Sequence, residues 1–155
     1  MKRGIVCLMA ICAVPAMAQP RPSPAADRIE ILAAVDTFFA AVHDKDKAKM
    51  TAAVLPDGLA SAVRLDKQQP FMRSWHWATY IENQLGNRQK YTERLFAPQV
   101  LSEGDIAMVW ARYELLVDGK FDHCGVDHFD LIRRDGRWLV YNLTWTNQTA
   151  ACPNR

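Results

Sequence analysis

The sequence has no uncharged run long enough to cross a bilayer and few cysteines, and one end carries its only charge imbalance. The longest uncharged apolar run, Gly4 to Val14, is about half the roughly 20 residues a membrane span needs. It follows Met1-Lys2-Arg3, is broken by Pro15, and leads to Ala16-Met17-Ala18, with small residues at both positions a signal peptidase reads. A positive start, an apolar stretch and a cleavage site in that order describe a secretory signal peptide over residues 1–18. The expected mature chain begins at Gln19, is secreted or periplasmic, and has no membrane attachment after cleavage. Ile11 stands before Cys12 where a lipoprotein motif wants a small residue, so that alternative is set aside.

With Lys2 and Arg3 removed, the remaining basic residues equal the 17 acidic ones. A nucleic-acid partner usually demands a basic excess to displace counterions, and none is present, so no nucleic-acid binding is expected. Of four cysteines, Cys7 and Cys12 leave with the signal. Cys124 and Cys152 remain, too few for a disulfide framework, so the fold must rest on its core. With 50% of residues apolar, that core is affordable. There are no repeats, no low-complexity domain and no nucleophile-elbow motif for serine catalysis.

Residues 19–26, rich in Pro and Ala, read as a disordered tether. Asp27 is placed as the N-cap of a helix, and apolar residues then recur at Leu32, Val35, Phe38 or Phe39, and Val42, which is helical spacing. A second short helix is expected over 47–54, stopped by Pro56-Asp57-Gly58, and a short strand over 59–65. Trp77, Tyr80 or Ile81, and Leu85 space as a third helix, with Ser74 as its cap and Gly86-Asn87 at its end. Four β runs follow: Tyr91 to Leu101, Ile106 to Val117, His123 to Ile132 and Trp138 to Asn147. Asp118-Gly119 and Asp135-Gly136 between such runs are strong hairpin signals. Helices first and an antiparallel meander after them define an α+β domain over 27–148, with 149–155 as a tail.

Two-residue turns at both Asp-Gly pairs fix a register in which Trp110 faces Asp127 and Asp127 faces Thr144. One face then holds Glu93, Trp110, Arg112, Asp127, Phe129, Leu131, Trp138 and Thr144. The other holds Val109, Tyr113, His128, Tyr141, Leu143 and Trp145. Both faces are largely apolar, whereas an antiparallel meander usually leaves one wet. The helices can cover only one, so a homodimer through the outer face is expected. Glu93, Arg112 and Asp127 among aromatics give two open readings. One is a pocket with a polar floor, holding a small ligand of unknown identity. The other is a structural ion pair at the mouth of an ordinary core. His76, between Trp75 and Trp77, lines the entrance or sits on a helix surface. The register sets Cys124 beside Asn147, from which a short tail can return, so a Cys124–Cys152 disulfide is expected.

Val109-Trp110-Ala111-Arg112-Tyr113, Asp118-Gly119-Lys120-Phe121, the run His123 to Phe129, Gly136-Arg137-Trp138 and Thr144-Trp145-Thr146 together resemble the nuclear transport factor 2-like superfamily. The resemblance is to its small lumazine-binding branch and covers about residues 27–148. It implies a cone: a curved antiparallel sheet wrapped around an N-terminal helix, with a pocket at the open end and frequent dimers through the sheet. The family pattern at Trp110, Asp127, Phe129 and Trp138 implies that their face is the inner one. Ketosteroid isomerase, scytalone dehydratase, polyketide cyclases and many non-enzymes share the cone. No single catalytic set holds across it, so none is carried over and function must come from the site.

The segment Asp122 to His128 suggests a metal site, but strand geometry opposes it. His123 and Asp127 stand roughly 13 Å apart along a strand, as do Cys124 and His128 on the opposite face, too far to share one zinc. No metal or cofactor is expected. Cys124 and His123 point to opposite faces and make no nucleophile pair. Acid–base chemistry survives: Asp127 beside an aromatic neighbour is in an environment that raises a carboxyl pKa toward useful values. The alternative is that Asp127 bonds Thr144 or Arg112 structurally.

Overall fold

The structure, a computed structural model, describes residues 23–64, 71–149 and 152. The expected signal, residues 19–22 of the tether, Leu65 and most of the tail lie outside them. Helix α1 (Ala25–Asp44) buries Ile31, Val35, Phe38, Ala41 and Val42. Val35, Phe38 and Val42 are on the stripe that the periodicity predicts, whereas Leu32 is only half-buried and Ile31 takes the core position. It starts three residues earlier than expected, with Pro24 rather than Asp27 at the cap position. Asp27 instead lies in the first turn, where a negative charge suits the helix dipole, and accepts a 2.6 Å hydrogen bond from Arg133. Helix α2 (Lys47–Ala53) is capped by Asp46, which accepts from the Lys49 N–H at 3.0 Å.

Strands β1 (Leu59–Arg64) and β2 (Phe71–His76) form an antiparallel pair, then α3 (Trp77–Gly86) follows. Strand β2 was not legible in the sequence, and Ser74, expected to cap α3, lies within it opposite Ser61. Strands β3 (Tyr91–Glu103), β4 (Ile106–Val117), β5 (Lys120–Arg134) and β6 (Arg137–Asn147) make the meander. The six strands form one curved, unclosed sheet in the order β2-β1-β6-β5-β4-β3, with β1 parallel to β6. Asp118 and Asp135 have φ of 50° and 52°, and the glycines after them 77° and 73°. Positive φ at both central residues is the two-residue hairpin geometry that matches strand twist. Both turns are therefore as the sequence predicts.

The register beyond the turns is not. Val117 pairs with Lys120 and Leu116 with Phe121, but Leu115 pairs with His123, leaving Asp122 as an extra residue. On the next hairpin Leu131 pairs with Val140 but Asp130 with Asn142, leaving Tyr141 extra. Each is a β-bulge, which sends everything beyond it to the opposite face. A third irregularity between Phe96 and Gln99, with Ala97 at φ 45°, bends β3 around α1. Trp110 therefore faces His128 and Asp127 faces Ala111 and Trp145, contrary to the expected Trp110–Asp127–Thr144 row.

Candidate functional site

The concave side of the sheet, α1 and α3 enclose a cavity of about 300 Å³. Its inner wall is built from side chains that alternate along the strands: Tyr91 and Glu93 on β3, Tyr113 and Leu115 on β4, His123 and Asp127 on β5, and Leu143, Trp145 and Asn147 on β6. Phe38, Phe39 and Val42 of α1 and Tyr80 and Gln84 of α3 form the roof. The β1–β2 pair contributes Arg64, Phe71, Arg73 and Trp75. Phe71 and Arg73 are exposed, so this edge is the mouth. Trp75 and Trp145 stack at 6.1 Å with planes 15° apart, and Tyr80 meets Trp145 edge-on at 6.3 Å. Phe129 packs edge-on against Phe38 and Phe39, and Leu131 and Trp138 extend that core behind them.

Asp127 is the polar centre. It is 1% exposed, lines the cavity, and its Oδ2 has no hydrogen-bond partner among the described residues. Its neighbour is Glu93, which reaches over from β3 and keeps part of its surface open to the cavity. Burial pushes the Glu93 carboxyl up to about 7, partly offset by a hydrogen bond from Asp127. Burial, and then the charge of Glu93, push Asp127 well above its ordinary value. Two carboxyls this close in a poorly solvated site cannot both ionise cheaply, so they share a proton. The Tyr80 and Tyr113 phenols are also raised, first by burial and then by these two acids, and remain neutral. Tyr113 donates to the Thr146 carbonyl at 2.8 Å. His123, 8% exposed, bonds Asp122 at 2.6 Å through Nδ1 and sits edge-on to Tyr113. Among the described residues no group of three His, Cys, Asp or Glu side chains is arranged to hold a metal.

Several site residues expected from the sequence lie elsewhere. Trp110 is 47% exposed on the outer face, Arg112 is exposed beside it, and Thr144 pairs with His128 there. The two bulges moved them, so neither Arg112 nor Thr144 partners Asp127. His76 is an exposed residue at the start of α3 and does not line the cavity. Glu93 and Asp127 lie in the cavity wall, while Phe129 and Trp138 are in the core. Tyr113, Leu143 and Trp145, which the unbroken register put outside, face inward. Arg73 and Trp75 were missed because β2 carries no clear alternation, and Arg64, at the end of β1, because the strand beside it was not recognised. The Cys124 and Cys152 sulfurs lie within bonding reach, with Cα atoms 6.0 Å apart, and Cys124 bridges to Gln148.

A helix-filled curved sheet with a pocket at its mouth is the cone of the nuclear transport factor 2-like, or cystatin-like, proteins. The chain belongs to the family described as "Putative lumazine-binding", which matches residues 26–146. No curated protein matches the chain in sequence. Solved structures with the same fold include a protein of unknown function with a cystatin-like fold from Nostoc punctiforme. That chain is 10% identical, with TM-score 0.64 over 87% of this chain and 100% of that one. A "putative dehydratase from the NTF2-like family" from Streptomyces avermitilis is 16% identical, with TM-score 0.64 over 83% and 100%. The beta subunit of a "putative aromatic-ring-hydroxylating dioxygenase" from Novosphingobium aromaticivorans is 13% identical, with TM-score 0.66 over 81% and 92%. At such identities the likeness concerns fold alone, and the three descriptions share no activity.

Proposed function

We propose that this chain is an exported protein that holds a small, partly aromatic ligand in the cone cavity. The observation that carries this is Asp127: almost wholly buried, and with an oxygen that has no hydrogen-bond partner among the described residues, in a part-apolar cavity. A buried acceptor of this kind costs free energy unless something donates to it. A native mass spectrum of freshly purified protein is expected to show a retained small molecule. A spectrum of bare chain, together with no stabilisation by any member of a metabolite library, would overturn the reading.

A second reading is a small lyase, isomerase or hydrolase with Asp127 as general base. The paired carboxyls favour it, since acids held near neutrality by burial can both take and give a proton at working pH. Glu93, unforeseen as its partner, would be the other half of that pair. A non-catalytic structural or interaction role is the third alternative, which ligand retention would count against.

Export rests on the signal-like residues 1–18, and the oxidising compartment it implies suits a Cys124–Cys152 disulfide. The intact mass of exported protein is expected to correspond to a chain starting at Gln19 and lacking two thiol hydrogens. Retention of Met1, or two titratable thiols after unfolding, would refute the respective expectation. With a sequence separation of 28, removing the link by Cys152→Ser is expected to cost roughly 3 kcal/mol in the chain-entropy model.

Pairing of two copies through the outer sheet face is also a proposal, but with a different centre. Trp145 faces inward, so the exposed apolar groups there are Trp110 and Ile106. Ile106 lines a shallow hollow of about 430 Å³ together with Met108, Ile132 and Tyr141. In a dimer through this face, Trp110→Lys is expected to give monomers in light scattering. A wild-type chain already monomeric would end the proposal.

A further inference from the structure

Eight buried side-chain nitrogen or oxygen atoms have no hydrogen-bond partner among the described residues, and four of them belong to residues of the one cavity. They are Arg64 Nε, Gln84 Oε1, Asp127 Oδ2 and Asn147 Oδ1. Buried polar groups are normally paired, and a native domain tolerates only a few exceptions. Half of these exceptions falling on one cavity wall point to a polar occupant.

The distribution of charge along the cavity is uneven. At the mouth are Arg64 and Arg73. Neither has a carboxylate partner among the described residues, and Arg73 lies over the Phe71 and Trp75 rings, at 5.4 and 5.8 Å from their centroids. A guanidinium held over aromatics keeps its fork of N–H donors available to an anion. In the middle Trp75, Trp145 and Tyr80 offer ring faces and edges. At the floor are two carboxyls. Once they share one proton internally, their remaining oxygens are acceptors only. The amides of Gln84 and Asn147 can serve either polarity and do not break this gradient.

Resting on the proposal that the cavity binds a ligand, we infer that the ligand is a flat aromatic acid. Its carboxylate is held by Arg64 and Arg73, its one or two rings lie against Trp75, Trp145 and Tyr80, and a hydroxyl or N–H at its far end donates to the Glu93–Asp127 pair. The ends are not interchangeable: an anion at the floor would meet two acids. A plain hydrocarbon would leave all four unpartnered atoms unsatisfied.

The test is calorimetric titration of the purified protein with three probes of one shape: 6-hydroxy-2-naphthoate, 2-naphthoate and 2-naphthol. The hydroxy acid is expected to bind at least about tenfold more tightly than either probe lacking one end, the size of one good charge-assisted hydrogen bond. Arg73→Met, at an exposed position where folding is safe, is expected to weaken the hydroxy acid by about tenfold and leave 2-naphthol unchanged. Glu93→Gln is expected to reduce the advantage of the hydroxy acid over 2-naphthoate, since a neutral amide oxygen accepts more weakly than a carboxylate. Equal binding of 2-naphthol and the hydroxy acid, or of the acid with and without its hydroxyl, would overturn the inference. Failure of all three probes would overturn it too. A retained molecule of other chemistry in the native mass spectrum would then still support a binding cavity, and a bare chain would remove that reading as well.

Discussion

Replacing Asp127 by Asn is expected to stabilise the fold at pH 8, raising the urea midpoint above wild type, while weakening retention of the ligand. The opposite sign would follow if Asp127 were held by Arg112, the pairing that the uninterrupted hairpin register suggests. In the structure its charged neighbour is another acid, and burial adds to the repulsion. Both carboxyls have folded values above their ordinary 3.8 and 4.5, so the folded state binds more protons than the unfolded one. Stability is then fullest below about 4 as far as this pair is concerned. It declines as pH rises from there through the raised folded values, about 7 for Glu93 and well above the ordinary one for Asp127. Asn keeps the shape of the side chain and removes one of the two charges, so the decline should shrink. Urea denaturation of both proteins between pH 4.5 and 8.5 measures it. A variant less stable than wild type at pH 8 would mean that Asp127 has a favourable partner there.

Gly58→Ala is expected to cost at least about 3 kcal/mol, a large part of the margin by which a domain this size is stable. A Cβ on Gly58 would lie 1.6 Å from the Tyr141 carbonyl oxygen and 2.8 Å from Trp77 Nε1. That oxygen accepts a 2.8 Å hydrogen bond from Trp77 Nε1, and Tyr141 is the extra residue of the β5–β6 bulge. The methyl would push apart the start of α3, the β1 approach and the bulge. These three features together set Trp145 and Trp75 against the cavity. A denaturation midpoint close to wild type would show that the backbone can yield there. Loss of stability with intact ligand retention in the remaining folded fraction would show that the bulge does not depend on this contact.

The α+β plan was legible because its signals are local. The stripe Val35, Phe38, Val42 follows from helical period alone. Asp118-Gly119 and Asp135-Gly136 specify their turns because few other residue pairs accept positive φ at both positions. The α1 start was misread for the complementary reason. Asp27 suits an N-cap by type, but a bond to Arg133, far along the chain, draws it into tertiary structure. Strand β2 gave no signal because most of it is exposed, so nothing forces its residues to alternate. The site was half legible. Glu93 and Asp127 were placed on one face correctly, because the shift in β3 between Phe96 and Gln99 and the bulge at Asp122 offset each other. Trp110, Arg112 and Thr144 were placed wrongly because each lies beyond a bulge.

The sequence by itself determined the number and type of the main elements, the two tight turns, and the presence of acids among aromatics on the concave face. Periodicity and turn chemistry act within a few residues, and a chain read in isolation contains them. Tertiary structure alone decided which aromatics accompany those acids. Asp122 is drawn out of the ladder where it bonds His123, and Tyr141 where its carbonyl meets Trp77 and Gly58. One extra residue in a strand reverses every side chain beyond it, and at Tyr141 the contacts are with a distant part of the chain.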